Sequence, residues 1–392
     1  MATTVPGSRL VSDDLEARAI AWRRHLHANP ELSFEEHETS AFIEQTLRSF
    51  GGLEIERPAG TSVVARLQGV RPGKVVVLRG DIDALPIQEE NVIPHVSTRP
   101  GVMHACGHDG HTAMLLGAAK YLTETRNFDG TAIMIFQPAE EGGGGGDVMV
   151  KDGLMERFGV QEVYGLHNMP GIPVGKFAIR PGPLMAAADR FDIVIEGKGG
   201  HAARPHECVD TLLVACQVVN ALQSIAARNV DPLESVVVSV CALAAGEAYN
   251  VIPQTARLKG TTRTLTEAVR DLAETRIRAI TEATCAAYGA KASVDYRRGY
   301  PVTVNHPEQT DFIAKVAAEV GAGERAVDTT IVPLMGSEDF SYMLESRPGA
   351  YIFMGNGDTA SVHHPKYNFN DEAIPYGVSL WAKVIETAMP AR

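Results

Sequence analysis

The chain has 392 residues, of which 45% are hydrophobic and 21% charged, and this composition indicates a folded protein of about two or three domains. Its formal net charge of −12 argues against a nucleic-acid-binding protein, because such binding depends on lysine and arginine contacts to phosphates. Five cysteines at irregular spacing do not make a disulfide framework, and the N-terminus lacks the apolar core of a signal peptide. No window approaches the apolar run of a membrane span, so we expect a cytoplasmic protein.

The first 186 residues alternate predicted helices with short apolar strands. Strands over 75–78 and 132–136 lack polar–apolar alternation, which is typical of strands buried on both faces. Strands that alternate with helices predict an α/β fold with a central, mostly parallel sheet flanked by helices. In chain order, the predicted elements are helices at 12–28 and 36–50, strands at 62–67 and 74–79, a helix at 111–122, and strands at 131–136 and 160–166.

The pattern changes near residue 186 to a strand, helix, strand, strand, helix and strand, which is a ferredoxin-like arrangement. We therefore predict an inserted α+β domain at 187–301, and a discontinuous domain formed by 1–186 and 302–392. The six predicted elements of the insert are 190–196, 210–228, 236–240, 255–264, 266–288 and 292–297. The elements predicted after it are helices at 307–321, 337–345 and 374–388, with a strand at 350–354.

Residues 104–111 read HACGHDGH and place a thiol, three imidazoles and a carboxylate within eight positions. Gly107 allows Cys106 and His108 to face one point, and a thiolate with a neutral imidazole suits zinc, cobalt or nickel. The alternative for Cys106 alone is a small buried apolar residue. We expect His104 and His111 to support the site, and Asp109 to begin a helix or hold an imidazole.

Further donors follow predicted strands, at the sheet edge where ligands bind in open α/β folds. In metal-assisted hydrolysis one carboxylate binds metal and another takes a proton from water, and adjacent Glu140 and Glu141 can divide these roles. Asp83 can orient a histidine ligand, whereas Asp81 fits either this role or a turn. The remaining candidates are His167 and one of the pair His363 and His364.

Three candidates lie in the predicted insert, and each is weak evidence alone. His201 follows two glycines in a loop, and Asn250 is a polar residue in another loop. Arg263 is the best candidate for holding a substrate carboxylate, because a guanidinium matches a carboxylate with two parallel hydrogen bonds.

With these motifs the chain resembles the M20 metallopeptidase family, in the amidohydrolase branch that includes hippurate hydrolases and N-acyl-L-amino-acid amidohydrolases. The matching segments occur in family order and span nearly the whole chain. They are RRHLHANPELSFEE, RGDIDALPIQE, MHACGHDGHTAMLLGAA, FQPAEEGGGG, GLHNMPGIPVG, GKGGHAARPH, AYNVIPQTARLKGTTRT, GSEDFSYM and VHHPKYNFNDEAIPYG.

The resemblance implies two divalent metal ions per subunit, either zinc, manganese, cobalt or nickel. It implies that Glu140 is the general base, that Asp83 orients a ligating histidine, and that His201 reaches into a partner's site to stabilise the oxyanion. The inserted domain would then form a homodimer or a higher homo-oligomer. The implied metal ligands are Cys106, His108, Glu141, His167 and His363.

The expected function is hydrolysis of the amide bond of a small N-acyl amino acid, of the hippurate or N-acetyl type, which releases a carboxylic acid and a free amino acid. Asn250 and Arg263 are the expected substrate-binding residues. The same site would also serve a carboxypeptidase, a dipeptidase or an N-acetyl-diaminopimelate deacetylase. A non-catalytic binding protein on this scaffold is the alternative of a different class, although both glutamates and the histidine ligands that it would be expected to lose are present.

Overall fold

A computed structural model describes residues 10–392. Its helices are α1 (Asp13–Ala28), α2 (His37–Phe50), α3 (His108–Thr125), α4 (Gly145–Lys151), α5 (Leu154–Arg157), α6 (Thr211–Leu222), α7 (Glu267–Ala287), α8 (Pro307–Val320), α9 (Ser341–Ser346) and α10 (Ile374–Ala388). Its strands are β1 (Glu54–Glu56), β2 (Val63–Gln68), β3 (Val75–Asp81), β4 (Thr131–Gln137), β5 (Glu162–Pro170), β6 (Phe177–Ala178), β7 (Gly182–Met185), β8 (Ala187–Glu196), β9 (Gly200–His201), β10 (Val236–Ala244), β11 (Val251–Ile252), β12 (Thr255–Thr264), β13 (Lys291–Arg298), β14 (Thr303–Asn305), β15 (Val327–Asp328) and β16 (Gly349–Gly357).

The chain divides into two compact units. The larger unit takes the chain up to Gly182 together with Val304–Val332 and Asp339–Arg392. The smaller unit takes Pro183–Thr303 and the short stretch Pro333–Glu338. Nothing in the sequence pattern signals that this short stretch belongs with the smaller unit.

The larger unit is built on a mixed eight-stranded sheet, which confirms the predicted α/β fold. The strand order is β1-β2-β4-β3-β5-β16-β6-β15. Strand β3 runs parallel to β4 and β5, and β5 runs parallel to β16, whereas β1 and β2 are antiparallel at one edge. Every residue of β4 is buried, as its unbroken apolar sequence predicts.

The parallel strands β3, β4 and β5 bring their carboxyl ends to one edge of this sheet. Asp81, the last residue of β3, lies opposite Gln137, the last residue of β4. The candidate carboxylates Asp83 and Glu140 follow in the loops directly after these two strands, and His167 lies near the end of β5. The strand order therefore collects chemical groups that are far apart in the sequence.

The smaller unit has a four-stranded antiparallel sheet of order β10-β12-β8-β13, with α6 and α7 joining its strands. This order and connectivity are those of the predicted ferredoxin-like arrangement. Apolar residues from β8, α6 and α7, such as Ile193, Val218 and Ile277, form a hydrophobic cluster of their own. This unit thus has a separate core, as an independent domain requires.

One segment of the smaller unit corrects the prediction that no window approaches the apolar run of a membrane span. By length and composition alone, the helical stretch Thr211–Asn229 is long and apolar enough to cross a membrane, with a mean hydropathy of 1.2. Such evidence is weak when it rests on one helix. Its residues Val214, Val218 and Leu222 lie on one face and pack into the core of the smaller unit, as in an amphipathic helix.

A buried ion pair in the smaller unit predicts an asymmetric effect of mutation. Arg270 on α7 lies 2.6 Å from the Asp189 carboxylate on β8, and both side chains are buried. We expect Arg270→Ala to lower the free energy of unfolding by about 3–5 kcal/mol, because it leaves a buried carboxylate without its cation.

Chemical denaturation of purified protein, followed by circular dichroism, measures this loss. The matched control is Arg298→Ala, because exposed Arg298 pairs with Asp271 and Glu274 at the surface and its loss changes stability by no more than about 1 kcal/mol. Equal losses for the two variants would contradict the assignment of Asp189–Arg270 as a core interaction.

Candidate metal centre

Cys106 and His108 face one point because of the backbone at Gly107. Gly107 precedes α3 with φ at 103°, in the left-handed region. A Cβ atom here would lie 2.1 Å from the side-chain oxygen of Asn168, so the position has no room for a side chain. Glycine is therefore required both by the backbone angle and by the close packing.

His108 is held so that one ring nitrogen faces the cluster. Its Nδ1 donates to the backbone oxygen of Asp83 at 2.9 Å and lies 3.1 Å from the Asp83 carboxylate. Its Nε2 is buried and has no hydrogen-bond partner within residues 10–392. Burial lowers the pKa of His108, but Asp81 and Asp83 outweigh it and raise that pKa to about 10. This imidazole therefore lies in a strongly negative environment that also attracts a cation.

His167 is oriented in a similar way from the neighbouring strand. Its Nδ1 donates to the backbone oxygen of Asn168 at 2.6 Å, which leaves Nε2 as the nitrogen that carries the lone pair. This Nε2 lies 3.3 Å from the Cys106 sulfur. Burial and the nearby His111 lower the pKa of His167 to about 3, in contrast to that of His108.

Glu141 and His363 complete the cluster from two other loops. The Glu141 backbone N–H donates to the Asp83 carboxylate at 3.0 Å, and the Glu141 Oε1 lies 3.3 Å from the His363 Nε2. His363 has a φ of 65°, which is uncommon for a residue with a side chain. The neighbouring His364 is exposed, and its Nδ1 accepts a hydrogen bond from the backbone of Lys366.

These donors form overlapping groups that share Cys106. Its sulfur lies within 4.8 Å of the ligand atoms of His108 and His167, and equally of those of Glu141 and His363. Glu140 lies within the same distance of His108 and Glu141. Burial and the carboxylates of Glu141 and Glu140 raise the pKa of the Cys106 thiol well above its usual range.

The donor set fits a pair of transition-metal ions. It offers one sulfur, three imidazoles and one carboxylate, which zinc, cobalt, nickel or manganese accept to different degrees. The buried His108 Nε2 lacks a hydrogen-bond partner within the described chain, and a bound cation would satisfy it. A cation would also favour the Cys106 thiolate among neighbouring carboxylates.

His111 and Asp81 lie beside the cluster but have other partners. His111 uses both ring nitrogens, with the Asp81 carboxylate at 2.6 Å and the Asn168 side-chain oxygen at 2.7 Å. Asp81 also pairs with the buried guanidinium of Arg79 at 2.6 Å. Arg79 in turn contacts the Asp339 carboxylate at 2.8 Å. These residues hold the neighbouring donors in place, and their own nitrogen and oxygen atoms are mostly occupied by these partners, so few remain to bind a metal.

Asp109 anchors a second buried network at the start of α3. Its Oδ2 lies 2.9 Å from the Arg23 guanidinium and 2.8 Å from the His27 Nδ1. His27 also lies 3.1 Å from the Glu89 carboxylate. His104 is buried nearby, with neither ring nitrogen hydrogen-bonded to any part of the described chain, and burial lowers its pKa to about 4. This network fixes the turn of helix that carries His108.

The three candidates from the insert all lie in the smaller unit. His201 and Asn250 are both exposed. They are neighbours, because the backbone N–H of Ala202 donates to the backbone oxygen of Asn250 at 3.0 Å. Arg263 lies on β12, half-buried, and donates to the backbone oxygen of Thr262 at 2.9 Å. His201 and Asn250 therefore form one local group, whereas Arg263 is a separate feature of the sheet.

Sequence reasoning missed the loop before α2 as part of the site. Ser33 donates its hydroxyl to the Asp83 carboxylate at 2.8 Å, and Glu36 accepts a hydrogen bond from the backbone of Ala139 at 2.9 Å. The only sequence signal was that this loop lies within the matching segment RRHLHANPELSFEE.

Comparisons with known proteins identify the family of this chain. Residues 77–387 match the peptidase family M20/M25/M40. The chain belongs to this family. It is 49% identical over 302 residues to the N-acyl-L-amino acid amidohydrolase of Geobacillus stearothermophilus, which covers 76% of this chain and 81% of the relative. It is 41% identical over 375 residues to thermostable carboxypeptidase 2 of Saccharolobus solfataricus, with 93% of each chain covered.

A solved structure gives the same result for the fold. The chain is similar to the Bacillus subtilis YXEP protein, described as a dinuclear metal-binding peptidase of the M20 family. The TM-score is 0.85 at 34% identity, with 96% of this chain and 99% of the other covered. The protein is therefore an M20-family enzyme that hydrolyses amides, with a metal-binding site.

The shared position of Cys106 predicts how metal binding depends on it. We expect Cys106→Ala to lose most of the bound divalent metal, because both donor groups contain its sulfur. Elemental analysis by mass spectrometry after gel filtration measures the metal per chain. The matched control is Cys285→Ala, because this free cysteine is buried in the core of the smaller unit. Unchanged metal content in Cys106→Ala would remove the thiol from the ligand set.

Proposed function

We propose that this amidohydrolase cleaves the amide bond of N-acyl amino acids and releases a carboxylic acid and a free amino acid. The observation that carries the proposal is the arrangement around Cys106, where two groups of metal donors share one sulfur and the carboxylate of Glu140 lies beside them. The name of the Geobacillus stearothermophilus relative supports the same substrate class.

We propose that Cys106 and the remaining ligands of the two donor groups would hold two divalent ions. These ligands are His108, His167, Glu141 and His363. Bound there, zinc, manganese, cobalt or nickel would polarise the substrate carbonyl and make a nearby water molecule more acidic.

Glu140 is the proposed general base. Its carboxylate is buried and close to the donors, which suits a group that takes a proton from the attacking water. The same carboxyl group then gives a proton to the departing amino nitrogen, so the amine leaves in neutral form. Asp83 acts indirectly, because it fixes the ring of His108 and the backbone of Glu141.

The smaller unit supplies the proposed contacts to the substrate. We assign Arg263 and Asn250 to the carboxylate of the amino acid product, since a guanidinium and an amide are suited to bind it. Arg263 donates to Thr261 and Thr262 through one terminal nitrogen. A guanidinium has five N–H donors, so those on its other nitrogens remain for a ligand. His201 is exposed on β9, and we assign it to the oxyanion that forms during attack on the carbonyl.

We propose that the larger unit is catalytic and that the smaller unit forms a homodimer through β10. This strand lies at the edge of its sheet, and its second half is exposed and carries Cys241 and Leu243. An exposed apolar edge strand is a template for pairing with a second copy of the chain. Leu212 and Leu213 on α6 add exposed apolar surface in the same unit.

We also propose a reducing compartment, the cytoplasm. All five cysteines have free thiols, and Cys208, Cys216 and Cys241 are at least partly exposed. Exposed thiols persist where the surroundings keep them reduced.

A substrate panel tests the proposed reaction. Chelator-treated protein, with zinc, manganese, cobalt or nickel restored singly, is incubated with hippurate, N-acetyl amino acids, N-acetyl-diaminopimelate and dipeptides. We expect metal-dependent release of free amino acids from the acyl substrates, measured by an amine-reactive assay. Glu140→Ala should lose about 10²–10⁴-fold in kcat, the usual contribution of a positioned base, while it retains its metal.

The panel also identifies the alternatives. Cleavage of dipeptides alone would make the enzyme a peptidase, as the name of the Saccharolobus solfataricus relative suggests for that protein. Tight metal uptake with no hydrolysis would contradict the proposal in favour of a binding protein. Loss of metal in Glu140→Ala would assign Glu140 to metal binding instead of proton transfer.

Mixing two inactive variants tests the proposed role of His201 across a dimer. Glu140→Ala and His201→Ala are each expected to be inactive alone, but a hybrid dimer contains one intact site. Unfolding and refolding the two proteins together should restore about a quarter of the wild-type rate if the subunits pair at random. Light scattering confirms the dimer. No recovery in a dimeric mixture would show that His201 does not act in the partner's site.

A further inference from the structure

The proposed base, Glu140, follows a residue in an unusual conformation. Ala139 has a φ of 55°, in the left-handed region that residues with a Cβ atom rarely adopt. Such a residue persists only where its surroundings hold it, and residues of this kind cluster at functional sites. The groups that hold Ala139 therefore influence where the side chain of Glu140 lies.

Glu36 holds the N–H of Ala139, whose carbonyl oxygen accepts a hydrogen bond from the Gly145 N–H at 3.1 Å. The Oε1 of Glu36 accepts a hydrogen bond from the Ala139 N–H at 2.9 Å, and its Oε2 accepts one from the hydroxyl of Thr61. The Glu36 side chain is fully buried. A buried carboxylate is unfavourable unless it is hydrogen-bonded, and here two donors satisfy it.

Glu36 does not have the ordinary role of a residue at the start of a helix. It precedes α2, but its side chain makes no capping hydrogen bond to that helix. That role belongs to Glu31, whose carboxylate accepts hydrogen bonds from the N–H groups of Glu38 at 3.2 Å and Thr39 at 2.8 Å. The chain thus carries two buried glutamates in one loop with different tasks.

Glu140 is held on both sides by buried carboxylates. The N–H before it, of Ala139, donates to Glu36, and the N–H after it, of Glu141, donates to Asp83 at 3.0 Å. Ser33, from the same loop as Glu36, donates to the same Asp83 oxygen at 2.8 Å. One loop therefore fixes both ends of the turn that carries the base.

We infer that Glu36 is a positioning residue for catalysis, which sets the direction of the Glu140 carboxylate by holding the left-handed Ala139 in place. The inference rests on the proposed role of Glu140. It assigns no contact between Glu36 and substrate or metal. In this respect the role of Glu36 differs from that of Asp83, because Asp83 also orients the candidate metal ligand His108.

Kinetics of four variants test this inference. Glu36→Ala and Glu36→Asp both remove the contact, since the shorter aspartate keeps its charge but loses reach. We expect kcat to fall by up to about 100-fold in both, the size of effect that a displacement of about 1 Å produces, with KM and metal content near wild type. Glu36→Gln should recover most of the rate, because its amide oxygen can still accept from Ala139. Glu31→Gln is the matched control, with a wild-type kcat.

Hydrogen exchange followed by mass spectrometry gives a readout that needs no activity. In wild-type protein the Ala139 N–H is protected by Glu36, so a peptide that contains it should exchange one amide faster in Glu36→Asp. Glu31→Ala should instead speed exchange at Glu38 and Thr39. This readout remains valid even if the wild type hydrolyses none of the substrates. In that case the proposed function fails, but the protection of the Ala139 N–H by Glu36 is still measured.

Three results would overturn the inference. One is a wild-type kcat in folded Glu36→Asp, and another is unchanged exchange at Ala139 in the same variant. The third is a fall in metal content that matches the fall in kcat, which would assign Glu36 to the metal site instead. If Glu36→Ala does not fold, Glu36→Asp and Glu36→Gln still decide the matter, because both retain a polar group in the buried position.

Discussion

The carboxylate of Asp83 is the point at which the site is held together. It accepts hydrogen bonds from the Ser33 hydroxyl and the Glu141 backbone, and it lies 3.1 Å from the ring of His108. These three partners belong to the loop before α2, the loop after β4 and the start of α3. Because one buried carboxylate joins all three segments, the metal donors and the proposed base share a single frame.

Buried ion pairs next to the Asp83 frame hold its polar groups in fixed orientations. Arg79 pairs with Asp81 and Asp339, and Arg23 pairs with Asp109. Such pairs contribute little net stability compared with apolar side chains of similar size, but removing one partner is strongly unfavourable. They fix the orientation of polar groups that an apolar core could not orient. The cluster of donors can therefore be preorganised at the edge of the sheet.

Much of the fold and part of the site could be predicted from the sequence. The apolar runs predicted β3, β4 and β5, and the resemblance of nine segments indicated the family. The left-handed Ala139 and the contact of Glu36 with it could not be predicted, because neither has a pattern in the sequence. The stretch Pro333–Glu338 joins the smaller unit through tertiary contacts alone. Local periodicity reports which face of an element is apolar, but it does not report which distant loop contacts it.

The discontinuous larger unit has a consequence for the order in which the chain folds during synthesis. The smaller unit lies mostly in one continuous stretch, so all of it except Pro333–Glu338 is available once Thr303 has emerged from the ribosome. The first 182 residues must wait, because β5 pairs with β16 and α3 packs against α10, and both partners come from the last segment of the chain. Until then the nascent chain exposes an unpaired strand edge and an apolar helix face. The half that contains most of the metal donors is therefore the last to receive all of its packing partners.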